Sequence, residues 1–259
     1  MTPFASEFLG TAVYVFLGVA VTANLRLARA PGVGGSYGTA VLGWGAALAA
    51  GLLVAGRSDS QLNPAVTVAM WSIGRLKSDM VAGNITAQCV GAFVGAAVAW
   101  LQFLPYWSRT DDAQTKLAVF VNVPRIRAPL SNLLSEVLAS AVFVYVILRL
   151  IAGATIDAGS ADQAEDGIAF QLTATPMSVV QPMLSVLVAG MALAVLALGA
   201  AGASDCIMNP ARDLGSRVAH AFLPIPGKGG SDWRSAWIGI VGPVLGALLA
   251  AALWRATVA

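Results

Sequence analysis

Charge is what this sequence has least of. Lys, Arg, Asp and Glu make up 11% of its 259 residues, whereas a soluble domain carries about 25%. So little charge cannot cover a water-facing surface, and the solvent of this chain is therefore lipid. The net charge of +2 is too small to call for a nucleic-acid partner. Cysteine is nearly missing. Cys89 and Cys206 lie far apart in apolar surroundings, which excludes a disulfide framework and a cysteine-rich metal site. Histidine occurs once, at His220. Without a nucleophile–base pair or a cluster of metal ligands, an enzyme is the least favoured class.

What is present is hydrophobic, 58% of the chain. A membrane-crossing helix needs roughly 20 mostly apolar residues. Six runs qualify, at about 4–25, 37–56, 81–104, 130–152, 178–203 and 235–254. The first has no basic leader and contains Glu7, so it reads as an uncleaved span. The alternating segments of roughly ten residues that a β-barrel requires are not seen. Polar connections fall at 26–36, 105–129, 153–177 and 223–234. The third is the most acidic, with Asp157, Asp162, Glu165 and Asp166.

Two further apolar stretches, 62–74 and 207–222, are too short to cross. A helix from Asn63 to Gly74 would rise about 18 Å, roughly half of a hydrocarbon core about 30 Å thick. Both stretches open on the same triplet, Asn63-Pro64-Ala65 and Asn209-Pro210-Ala211. Asn is a favoured N-cap, and Pro is favoured at the first helical position, where its missing N–H costs nothing. The preceding residues, 57–62 and 203–208, then enter as extended backbone. Such backbone is tolerated at membrane depth only where it lines a cavity or is buried in protein. Paired short helices in matching halves point to a binding or conduction site between inverted repeats.

The repeat runs further. "SEFLGTAVYVFLGV" (6–19) is similar to "SEVLASAVFVYVIL" (135–148), with Glu7 matching Glu136, and "GAFVGAAVAW" (91–100) is similar to "GPVLGALLAAALW" (242–254). Each half reads span, span, half-helix, span. Three spans is an odd number, so the second half lies inverted. The half-helices then enter from opposite sides, and their positive N-terminal ends meet near the midplane.

These motifs resemble the aquaporin and aquaglyceroporin superfamily, the major intrinsic proteins, over nearly the whole chain from Glu7 to Trp254. The resemblance implies an all-α membrane protein with six transmembrane helices and two re-entrant half-helices. It implies one transmembrane channel domain over 1–259, with inverted repeats of about 1–104 and 130–259. It further implies a homotetramer in the cell membrane, one pore per subunit, passive movement of water and small neutral solutes, and no cofactor or metal. Asn63 and Asn209 would present amide N–H groups to the passing molecule. Two facing helix ends would disfavour a cation there.

The resemblance also assigns a constriction. Arg212 directly follows the second triplet and would supply its fixed positive charge. Trp44 matches the aromatic of glycerol channels. Ala197 stands where strict water channels have His and glycerol channels a small residue. Cys206 is a water-channel feature. Asp213 and Arg217 match the glycerol-channel pattern after the second triplet. The ring is thus mixed, without a second aromatic, and a comparatively wide filter is expected. Glycerol passage is the leading expectation; a water-selective aquaporin is the alternative. Glu7 and Glu136 would accept hydrogen bonds from the loops that feed the half-helices, rather than relay protons for a coupled transporter. Gln61 stands where the family usually has His, which argues against a pH gate there. His220, late in the second half-helix, reads as packing favoured by the dipole.

Two features stand apart. Asp59 and Asp205 each lie four residues before an Asn where a small neutral residue is expected. Either each makes an Asx-type bond that shapes its loop, or together they form anionic vestibules, the basis of an ion- or metalloid-channel alternative. The second is orientation. The family places both termini in the cytoplasm, and positive residues favour cytoplasmic loops. Apart from Arg212, five Lys/Arg fall on that side (Arg57, Arg75, Lys77, Arg149, Arg255) and nine on the other (Arg26, Arg29, Arg109, Lys116, Arg125, Arg127, Arg217, Lys228, Arg234).

Overall fold

The computed structural model describes residues 1–56, 60–160, 177–202 and 204–258. Asp59 and the centre of the acidic connection lie outside them. The chain is helical, with no strand among the described residues. Among the described residues six helices are long and apolar enough to cross a membrane, and they match the six apolar runs of the sequence. The spans lie in α1 (Pro3–Arg26), α2 (Tyr37–Ala55), α4 (Ser78–Gln102), α7 (Pro129–Ser160), α8 (Met177–Ala200) and α10 (Ala236–Val258). The half-helices are α3 (Pro64–Ser72) and α9 (Pro210–Phe222).

Three of these helices begin on proline behind a side-chain cap. Thr2 accepts a bond from the Ala5 N–H ahead of Pro3, and the two Asn residues do the same ahead of Pro64 and Pro210. The 105–129 polar connection holds two short helices, α5 (Leu104–Trp107) and α6 (Ala113–Phe120). The signal for α6 is Asp112, whose carboxylate caps the Gln114 and Thr115 amides at 3.2 and 2.8 Å. Bonds from the Thr115 hydroxyl and amide, then from Gln114, hold the Asp112 carboxyl below its ordinary range. Helix α7 runs on past the membrane span to Ser160, and no proline interrupts it from Ile151 to Ser160.

The packing follows the repeat. Helix α1 packs on α4 and α7 on α10, while α2 and α8 join the halves. The α2–α8 crossing is possible because Gly45 and Gly190 face each other. A Cβ on either would collide with the other's carbonyl oxygen. Each half-helix lies against the last span of the opposite half, α3 on α10 and α9 on α4.

Burial is inverted relative to a soluble protein. Ser6, Glu7, Asn63, Gln88, Glu136, Asn209 and Arg212 are buried. Leu42, Leu53, Leu101, Leu187, Leu198 and Leu249 are exposed on the outside. Outward leucines cost nothing against lipid tails, whereas an unsatisfied polar group there costs several kcal/mol.

Candidate functional site

The site is assembled where the two half-helices meet. Residues 60–62 reach α3 without secondary structure, and Leu62 takes a left-handed φ of 51°. Their amides cannot bond within the loop, and a buried amide left unpaired costs about 1–3 kcal/mol. Glu7 on α1 answers them: Gln61 N donates to Oε1 at 2.7 Å and Leu62 N to Oε2 at 2.8 Å. Gln88 Nε2 on α4 donates to the same Glu7 Oε2 at 2.7 Å and to Thr67 Oγ1 at 2.9 Å. Asn84 Nδ2 donates to Gln61 Oε1 at 2.8 Å. Gln61 is thus part of the loop's bonding network.

The second loop repeats the solution. Ile207 N and Met208 N donate to Glu136 on α7 at 2.7 and 3.0 Å, and Met208 has φ 51°. Both carboxylates therefore accept bonds from the loops feeding the half-helices.

The two Asn residues are cross-linked. Asn63 Oδ1 accepts from Ala65 N at 2.9 Å, while its Nδ2 donates across to Met208 O at 2.9 Å. Asn209 Oδ1 accepts from Ala211 N and Arg212 N, both at 3.1 Å, and its Nδ2 donates to Leu62 O at 2.8 Å. Each amide thus caps its own helix and ties down the opposite loop. Each Nδ2 carries a second hydrogen. Both Asn residues line a cavity of about 380 Å³, otherwise mostly apolar, whose wall includes Leu48, Leu52, Phe143 and Val186.

A second, smaller cavity of about 60 Å³ lies beyond it. Trp44, Ala197, Cys206 and Arg212, the four residues expected at the constriction, all line it, together with Asp205. The Arg212 guanidinium carbon lies 4.1 Å from the centroid of the Trp44 ring. Arg212 is buried, and among the described residues its Nη1 has no hydrogen-bond partner. The Trp44 indole N–H is engaged with Thr22 Oγ1 at 3.0 Å, so its donor is already taken. The ring also lies against Gly18, where a Cβ would enter it.

A further aromatic borders the four expected residues, and it was missed. Tyr14 meets Trp44 edge-on, with centroids 5.6 Å apart, and lines both cavities. The signal was available. Glu7, Thr11, Tyr14, Gly18 and Thr22 recur at helical spacing on α1, and all are buried. Asn122 was missed as well. Its Nδ2 donates to the carbonyls of Asp205 and Cys206 at 2.6 and 3.2 Å, fixing the second loop from the connection between the halves.

Asp213 and Arg217 line neither cavity. They form a buried ion pair at 2.9 Å, and Arg217 Nη1 also donates to the carbonyls of Ser231 and Asp232 at 2.9 and 2.7 Å. The pair anchors the 231–232 connection to α9. His220, in the last turn of α9, is buried and hydrogen-bonds Ser231 Oγ through Nδ1 at 2.9 Å.

Six apolar spans wrap a polar interior in which two half-helices meet tip to tip; that is the build of a multi-pass membrane channel. The chain belongs to the major intrinsic protein family, whose model matches residues 1–254. It is 36% identical over 256 residues to the probable glycerol uptake facilitator protein of Thermotoga maritima, covering 98% of this chain and 99% of that protein. It is 37% identical over 247 residues to the glycerol uptake facilitator protein of Bacillus subtilis, covering 95% of this chain and 81% of that one. In fold it is similar to the X-ray structure of the aquaglyceroporin from Plasmodium falciparum, with a TM-score of 0.77 over 98% and 95% of the two chains, at 23% identity.

Proposed function

We propose that this protein is a passive pore for glycerol, water and other small uncharged solutes. The observation that carries the reading is the buried Arg212, whose unpaired Nη1 stands beside the Trp44 face. A polyol has a hydroxyl edge for the guanidinium and a carbon edge for the ring, so one solute satisfies both walls. The glycerol uptake facilitators among the relatives support the same solute class. In this reading Trp44, Ala197, Cys206 and Arg212 form the filter, and Asn63 and Asn209 hand the solute past the midplane. The whole chain acts as one channel domain, and four copies assemble as a homotetramer.

A water-selective pore is the second reading, favoured by the small volume at the filter and by Cys206. The coupled-transporter reading lacks a free proton relay, since Glu7 and Glu136 are committed to loop amides. Osmotic re-swelling of proteoliposomes decides between the first two. Fast shrinkage in a non-permeant osmolyte followed by fast re-swelling in glycerol is the expected result. Fast shrinkage without re-swelling would give the water-selective reading.

A further inference from the structure

Asp205 is the residue that the pore mechanism leaves unused. Its backbone has φ 67°, in the left-handed region that favours glycine. Such a conformation persists where the surroundings over-determine it, and here they do. The Asp205 N–H donates to Ala201 O at 2.7 Å, and its carbonyl accepts from Asn122 Nδ2 at 2.6 Å. Among the described residues its carboxylate has neither a hydrogen-bond donor nor an ion-pair partner, so the Asx-type bond, one of the two alternatives for this residue, is not made. Asp205 is half-buried and lines the small cavity together with Arg26, Tyr37, Asn122 and Arg212.

Two guanidinium groups, those of Arg26 and Arg212, line the same small cavity as Asp205. Two arginines and one aspartate give this wall a net positive charge, which argues against a well for cations at Asp205. What remains is an acceptor-only carboxylate on a wall shared with the donor-only guanidinium of Arg212. Water answers either group singly. A molecule with adjacent hydroxyls answers both at once, donating to one and accepting from the other.

We propose that Asp205 is a specificity-determining residue of the outer mouth, holding polyols by their hydroxyl hydrogens in line with Arg212 before they reach Trp44. The proposal rests on the glycerol reading above, and the experiment separates the two. Wild-type protein, Asp205→Asn and Asp205→Gly are compared in proteoliposomes. The glycine variant removes the carboxylate while suiting the left-handed backbone, so loss of folding does not obscure the result.

The ratio of glycerol to water permeability at low glycerol is expected to fall about fivefold in Asp205→Gly, as for loss of one hydrogen bond to a charged group at a partly solvated site. It should fall less in Asp205→Asn, and the half-saturating glycerol concentration should rise in both. A parallel loss of water and glycerol flux, or an unchanged ratio in both variants, would overturn the proposal. If wild-type protein carries no glycerol, the functional reading fails and the mouth is tested with sorbitol. Slower water flow in a sorbitol gradient than in an equal NaCl gradient, for wild type and not for Asp205→Gly, supports the proposal. Equal slowing in both, or none in wild type, overturns it.

Discussion

Around Asn63, the polar atoms of the loop are answered by spans of its own half: Glu7 on α1, and Asn84 and Gln88 on α4. Around Asn209, Glu136 on α7 does the same for two amides, but no side chain of α10 takes the place of Gln88. In the repeat, Gln88 corresponds to Gly239 and Thr67 to Asp213. Gln88 reaches Thr67, whereas Gly239 leaves room beside Asp213, whose Oδ2 would sit 3.2 Å from a Cβ placed there. Asp213 turns instead to Arg217. Asn122, from outside both repeats, supplies the missing support to the second loop. The tips of the two half-helices are alike because both must cap a helix and pin the opposite strand of backbone. Their bases differ because the first loop is held by two spans, α1 and α4, whereas the second is held by one span, through Glu136, and by a connection, through Asn122.

The largest way to break this comparison is through the ion pair that exists only in the second half. Asp213→Asn leaves Arg217 buried without its counter-charge, which costs about 3–5 kcal/mol. Thermal unfolding in detergent should show a severely destabilised protein, with Asp213→Leu/Arg217→Met recovering part of the loss. Thr67→Val at the matching position of the first half should cost much less. Next come the carboxylates. Glu7→Gln and Glu136→Gln each set an amide against a loop N–H, at about 1–3 kcal/mol per unpaired donor. Glu7→Gln is expected to be worse in the same assay, since Glu7 also serves Gln88.

The caps give a smaller contrast. Loss of an N-cap costs about 1 kcal/mol, and Asn209→Ala should exceed Asn63→Ala because Asn209 caps two amides and Asn63 one. The smallest contrast is at the far ends of the half-helices. Lys228 Nζ donates to Ala221 O and Leu223 O at 2.6 and 2.7 Å, and Arg255 donates to Ser72 O. A cation at a helix C-terminus contributes about 0.3–1 kcal/mol. Lys228→Ala is therefore expected to lower the melting temperature slightly more than Arg255→Ala, because Lys228 makes two bonds.

The six spans, both half-helices and the inverted repeat were legible in the sequence because lipid imposes long apolar runs and Asn-Pro marks a helix start. The carboxylates Glu7 and Glu136 were legible for the same reason, since a charge in such a run needs buried donors. Tyr14 was not read, because an aromatic within an apolar helix looks like any other until its face is known. Asn122 lay in a connection with no periodicity to place it. Asp213 and Arg217 were legible as a family marker, but not as an ion pair that holds residues 231–232. The Lys/Arg bias opposing the family's orientation has a partial physical account. Of the nine residues on the richer side, Lys116, Arg127, Arg217 and Lys228 are bonded to the protein itself, against Arg255 among the five on the other. A count of loop charges cannot distinguish such residues from free ones.

The central claim is a fixed, passive pore, and the most direct test is uptake of labelled glycerol into proteoliposomes with and without an imposed proton gradient. The fixed meeting of Asn63 and Asn209 predicts that uptake stops when the inside and outside concentrations are equal, with or without the gradient. Accumulation beyond that point in the presence of the gradient would contradict it.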